Sequence, residues 1–247
     1  MKSKKPNDLS LYDKNASSWW NPEAKFYALN YLNPLRFKFF DQHIEHWKTL
    51  NVLDVGCGGG FTCEYLAARG ANVFGIDQSA ECIAVASNHS KTSDFHIEYK
   101  LGYSESLPYP DSFFDVVVCV DVLEHVASLE KSLLQIQRVL KSGGFFFFDT
   151  INKTIKSRVI MIWLLEMILK EIPCGIHDWN KFISPSHLES LLVDNNFSNI
   201  EISGFHVLGT TLWEHFLAYR QYKKSGDFSV KFDADTSLMY IGAAKKI

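Results

Sequence analysis

Between residues 51 and 151, short apolar runs take turns with longer stretches in which apolar positions recur every three or four residues. The first pattern is that of a strand, the second that of an amphipathic helix. Read this way, strand 51–55 leads to helix 61–69, strand 72–76, helix 79–90, a weaker strand at 96–100, strand 114–120, helix 128–140 and strand 145–150. Val116-Val117-Val118 and Phe145-Phe146-Phe147-Phe148 are apolar at consecutive positions, as strands covered on both faces are. Such alternation implies an α/β, doubly wound, mostly parallel Rossmann-like sheet with right-handed crossovers. Two later runs, around 198–207 and 237–244, bring the expected sheet to seven strands. Ser184-Pro185 opens a capped helix ahead of them.

Outside this frame the pattern changes. Residues 1–50 are expected to form an N-terminal helical cap, with an amphipathic helix from Phe37 to Trp47 and the Trp19-Trp20 pair as a lid that excludes water. The stretch 153–184 interrupts the alternation after the fifth strand. From Val159 to Lys170 it is apolar almost all round, with Lys153, Lys156 and Arg158 just before it. This run is too short to span a bilayer. It is either a buried helix or a cover at the site's edge that meets a greasy substrate or a membrane surface. Segment 209–235 carries no readable pattern, and no repeat or low-complexity tract divides the chain, so 1–247 reads as a single domain.

Composition narrows the class. With 47% hydrophobic and 14% aromatic residues the chain can bury a large core, which excludes global disorder. A formal net charge of −3 gives no electrostatic case for a nucleic-acid partner. Five cysteines without a C-x-x-C pair argue against a disulfide framework and a zinc knuckle. The basic start Met1 to Lys5 is followed by no apolar run, so no secretory signal is expected, and a cytoplasmic setting follows.

The chemistry begins at Asp54-Val55-Gly56-Cys57-Gly58-Gly59-Gly60, where glycines break the first strand before a helix. Strand, glycine turn and helix in that order form a nucleotide-binding opening. A dinucleotide fingerprint would need glycine at position 61, and Phe61 stands there, which argues against a dehydrogenase. The second strand ends in Asp77, at the distance from the first glycine where a carboxylate accepts ribose hydroxyls. With Gly75-Ile76-Asp77-Gln78-Ser79, this pattern resembles the first two motifs of class I S-adenosylmethionine (SAM) methyltransferases.

At the end of the strand reaching Val120, Asp121, Glu124 and His125 stand at i, i+3 and i+4. If that turn is helical they share a face. Three readings stand: ligands for a divalent cation such as Mg, His125 as a general base, or a metal-free edge where His125 packs and hydrogen-bonds. Arg36 could pair its planar fork with the carboxylate of an amino-acid moiety. In Gly175-Ile176-His177-Asp178, His177 either reaches into the site from a closing loop or forms a structural pair with Asp178.

Separated stretches then agree with one family. Trp19-Trp20-Asn21-Pro22, Asn33-Pro34-Leu35-Arg36, Asp121-Val122-Leu123-Glu124-His125, Thr150-Ile151-Asn152-Lys153, the segment Gly175 to Pro185, and Leu238-Met239-Tyr240 together resemble the ubiquinone-biosynthesis O-methyltransferases. That resemblance implies SAM as cofactor and a polyprenylated phenol as substrate. It puts Arg36 at the methionine carboxylate, Gly56 and Gly58 against the cofactor backbone, Asp77 on the ribose and Val120 beside the adenosine. Asp54, Cys57, Gln78 and Ser104 join the expected cofactor site. Asp121, Glu124 and His125 fall on the family's metal segment, although Asp121 is one methylene shorter than the glutamate expected there. The family's lipid-contacting insertion falls on 153–184, which implies peripheral membrane contact through 153–170 and association with other quinone-biosynthesis enzymes. The rival readings are a C-methyltransferase or other small-molecule methyltransferase, and a non-catalytic SAM-binding scaffold.

Overall fold

The computed structural model describes residues 7–207 and 230–247, with isolated positions between. The basic start at Met1 to Lys5 and most of 209–235 therefore lie outside the described residues. The strands are β1 (Asn51–Val55), β2 (Asn72–Asp77), β3 (Ile97–Leu101), β4 (Phe114–Cys119), β5 (Leu140–Ile151), β6 (Phe197–His206), β7 (Lys231–Asp233) and β8 (Met239–Lys246). They form one sheet in the order β3-β2-β1-β4-β5-β8-β6-β7. Strands β1 to β5 are mutually parallel, and β8 runs antiparallel between β5 and β6. The order reverses between β1 and β4, so a crevice opens outside their carboxyl ends, where sheets of this kind bind ligands.

The consecutive apolar runs are buried on two sides. Val116, Val118 and Phe147 pack with Phe37, Phe40 and Trp47 on one face. Val117, Cys119, Phe146 and Phe148 pack with Leu133, Ile136, Leu188 and Leu192 on the other. The helices Leu129–Val139 and Pro185–Asp194 supply this second layer, each opened by a serine whose side chain accepts a backbone N–H of the first turn.

Three expectations need correction. Among the described residues the sheet has eight strands, not seven. The extra β7 pairs with Gly204–His206 at the edge, and three residues with exposed or half-buried side chains carry no hydrophobic alternation to read. The cap helix spans Ala28–Phe40 rather than 37–47. Pro34 lies inside it and removes one backbone donor, a cost outweighed by burying Leu32, Leu35, Phe37, Phe39 and Phe40. Finally, β5 starts at Leu140, before the glycine pair, where Leu140 turns extended and pairs with Phe114.

Candidate active site

A cavity of about 630 Å³ lies in the crevice between the ends of β1 and β4. Its walls come from the N-terminal arm, the glycine loop, the turn after β4 and the insertion after β5. Arg36, Gly56, Cys57, Gly58, Asp77, Gln78, Ser104, Val120, Asp121, Glu124 and His125 all line it. Asp54 does not, which corrects its expected cofactor contact. It sits beneath the loop, 1% exposed, accepting from Cys63 Sγ at 3.3 Å. Burial pushes its carboxyl up to about 7 despite that bond.

The glycine loop is shaped by backbone geometry. Gly56 and Gly58 have φ of +74° and +50°, a region in which a Cβ is strained. A Cβ on Gly58 would lie 2.5 Å from the Trp19 ring, and one on Gly59 2.3 Å. The lid tryptophan thus rests on the loop itself. Trp20 fixes it further, donating to the Gly59 carbonyl at 2.8 Å and stacking on His89. Asp77 accepts the N–H groups of Gly58 (2.9 Å) and Ser79 (2.8 Å), which aligns the ends of β1 and β2.

Arg36 is 2% exposed and pairs with two carboxylates. Its Nε donates to Asp149 at 2.5 Å and its Nη2 to Asp121. Burial works against the charge, but Asp121 and Asp149 outweigh it and hold the guanidinium protonated above its ordinary range. Nη1 is the corner not engaged in these pairs. Close by, Asn33 accepts from Thr62 Oγ1 at 3.1 Å, while its Nδ2 and the Nε1 of Trp19 are buried without a partner among the described residues. Both side chains line the cavity, so their donors are available to a ligand. The Asn33 role was missed in the sequence, where only the arginine of Asn-Pro-Leu-Arg drew attention.

The turn after β4 is not helical, so the condition for a face shared by Asp121, Glu124 and His125 is not met. Asp121 takes φ of +54° and swings the chain round, and only a single turn follows, His125 N–H to Val122 O at 2.8 Å. The three side chains therefore diverge: Asp121 goes to Arg36, Glu124 to the Thr150 hydroxyl at 2.8 Å, and His125 Nδ1 to Asn7 Oδ1 at 2.8 Å. Asn7 also donates to the His125 carbonyl, so its amide oxygen must take the Nδ1 proton, leaving Nε2 as an acceptor. In place of Asp121, His177 joins Glu124 and His125. One donor atom from each lies within 4.8 Å of the others. The two imidazoles stack with centroids 5.3 Å apart. His177 does not pair with Asp178, which instead accepts the Asn180 N–H; its partner is Glu166, at 2.6 Å. Asn7 and Glu166 had not been singled out. The signal for Glu166 was a single acid inside an otherwise apolar run.

Electrostatically, burial and then the charge of Asp121 push the Glu124 carboxyl up to about 8. Burial, then His177 and Lys181, lower the His125 pKa well below its ordinary value, so its ring is neutral at physiological pH. A neutral imidazole with Nδ1 engaged, beside a buried carboxyl that a bound cation would deprotonate, makes a donor set suited to a divalent cation.

The insertion helix Arg158–Ile168 winds as a π-helix. It buries Ile160, Met161, Leu165 and Glu166, and leaves Val159, Trp163, Met167 and Ile168 largely exposed. Of the two readings of this run, a buried helix or a cover at the site's edge, the exposed face rules out the wholly buried one. Among the described residues, no helix is long and apolar enough to cross a membrane.

This topology, with a glycine loop and acidic strand end at the switch point, defines a class I SAM-dependent methyltransferase. A family profile described as "Methyltransferase domain" matches residues 53–148. A SAM-dependent methyltransferase of Thermotoga maritima, described as a possible histamine N-methyltransferase, superposes with TM-score 0.67 at 15% identity, over 96% of this chain and 98% of that one. The [4+2]-cyclase SpnF superposes at 0.62 and 19%, over 99% of each, so the fold by itself does not fix the reaction. Sequence likeness is more specific. The ubiquinone biosynthesis O-methyltransferase of Pelagibacter ubique is 34% identical across 98% of both chains. That of Paraburkholderia phytofirmans is 34% identical over 98% of this chain and 97% of its own. The chain belongs to the ubiquinone biosynthesis O-methyltransferase family.

Proposed function

We propose that this enzyme transfers the SAM methyl group to a phenolic hydroxyl of a polyprenylated ubiquinone precursor. The observation that carries this reading is a single cavity joining the glycine loop to the Glu124–His125–His177 cluster, with Leu29, Met161, Leu165 and Met239 in its walls. The loop and Asp77 hold the adenosine end, while Asn33 and the free corner of Arg36 receive the methionine carboxylate. When bound, SAM supplies an electrophilic methyl on a sulfonium. The chain's contribution is to align the phenol oxygen with that methyl in a water-poor pocket, and to receive the phenol proton. The Glu124 carboxyl and two imidazoles face the place where that proton leaves, and Nε2 of neutral His125 is the acceptor for it.

Glu124, His125 and His177 would also hold a divalent cation, which would acidify and orient the phenol. The exposed face of helix 158–168, flanked by Lys153, Lys156, Arg158 and Lys170, suits peripheral contact with a membrane surface that holds the greasy substrate. In this reading 1–247 acts as one domain, with 1–50 as cap and 153–184 as insertion, and other quinone-biosynthesis enzymes are partners at that surface.

The test is methyl transfer to a short-chain prenylated catechol after EDTA treatment, with and without added Mg. Activity lost with EDTA and restored by Mg is the expected result. Activity indifferent to both keeps the transferase and removes the cation.

A further inference from the structure

We propose that Glu166 is a positioning residue for methyl transfer, through which the apolar insertion delivers His177 to the reaction centre in one tautomer. This rests on the reading of the site given above. Glu166 is 1% exposed on a helix whose other residues from Val159 to Leu169 are apolar. A carboxylate in such surroundings is costly unless its oxygens are hydrogen-bonded. It accepts three bonds from one loop: Gly175 N–H on Oε2 at 2.8 Å, and His177 N–H and Nδ1–H on Oε1 at 3.2 and 2.6 Å.

Two consequences follow from that geometry. With Nδ1 held on the Glu166 carboxylate, Nε2 is the ring nitrogen of His177 left to the cavity it lines. The loop is also gripped at its tightest point, since Gly175 has φ of +96°. A carboxylate behind a ring nitrogen is how reactive or ligating imidazoles are commonly oriented, and losing it typically costs about 10–100-fold in activity or metal affinity. The helix carrying Glu166 presents Trp163 and Met167 outward, so the imidazole is tied to the cover by three hydrogen bonds on its inner side.

The test combines kinetics with a spectroscopic readout on the full-length enzyme. In ¹⁵N-histidine-labelled protein saturated with S-adenosylhomocysteine in metal-free buffer, wild-type His177 is expected as the Nδ1–H tautomer. Glu166→Ala should lose that single tautomer and lower kcat about 10–100-fold, with KM for SAM nearly unchanged. Glu166→Gln, which keeps one acceptor oxygen, should retain the tautomer and most of kcat, and serves if the alanine variant does not fold. In a His177→Ala background, Glu166→Ala should lower kcat no further. Losses that multiply in the double variant, or an Nε2–H tautomer in the wild type, overturn the proposal. If the wild type methylates no phenol, the functional reading fails, and the tautomer in wild type and variants still decides the role of Glu166.

Discussion

At the scale of single residues, the site is governed by buried charge. Glu124 has a folded-state pKa of about 8 against an ordinary 4.5. The folded protein therefore binds that proton more tightly than the unfolded chain. Its contribution to stability is full below about pH 4.5 and is lost as pH rises through about 8. Glu124→Gln removes this dependence, so in metal-free buffer its Tm relative to wild type should climb steadily between those limits. A constant Tm difference would show that Glu124 titrates alike in both states. Arg36 makes the opposite case. Removing it leaves Asp149 and Asp121 without their cation, and Arg36→Ala should cost about 3–5 kcal/mol in denaturant unfolding, as broken buried pairs do. Gly58→Ala meets both the φ of +50° and the Trp19 ring, so calorimetry should show SAM affinity falling at least tenfold.

At the scale of elements, what could be read in the sequence was whatever repeats a simple rule. The continuous runs of β4 and β5 announced strands buried on two faces, and the glycines after β1 announced the binding loop. The helix over Ala28–Phe40 was misplaced because its proline argues locally for a break, whereas the burial that overrides it is tertiary. Whether the turn at Asp121 is helical stays open in the sequence because spacing cannot reveal a left-handed residue. For the same reason the third member of the His125 and Glu124 cluster comes from elsewhere: His177 is 52 residues beyond His125 and is held there by Glu166. The insertion helix shows its exposed apolar face only once folded, since a run apolar all round has no outward side in sequence. If that face binds membranes, Trp163→Ser with Met167→Ser should weaken sedimentation with anionic phospholipid vesicles severalfold and leave SAM affinity unchanged. Equal vesicle binding by both proteins would remove the membrane role.

At the scale of the molecule, the sheet supplies a rigid floor and two added segments supply the roof. The N-terminal arm sets Trp19 on the glycine loop and Asn7 on His125, while the insertion brings His177 and the greasy wall. The segments meet where Asp8 N–H donates to the Gly175 carbonyl at 2.9 Å. The cavity is thus walled in part by two segments that lie outside the strand-and-helix alternation of the sheet. The reaction proposed for this cavity places the methyl on oxygen. The most direct measurement is the carbon NMR spectrum of the product formed from ¹³C-methyl SAM and a short-chain prenylated catechol. The account predicts a labelled methoxy carbon; a labelled methyl on ring carbon, or no labelled product from enzyme saturated with SAM, would contradict it.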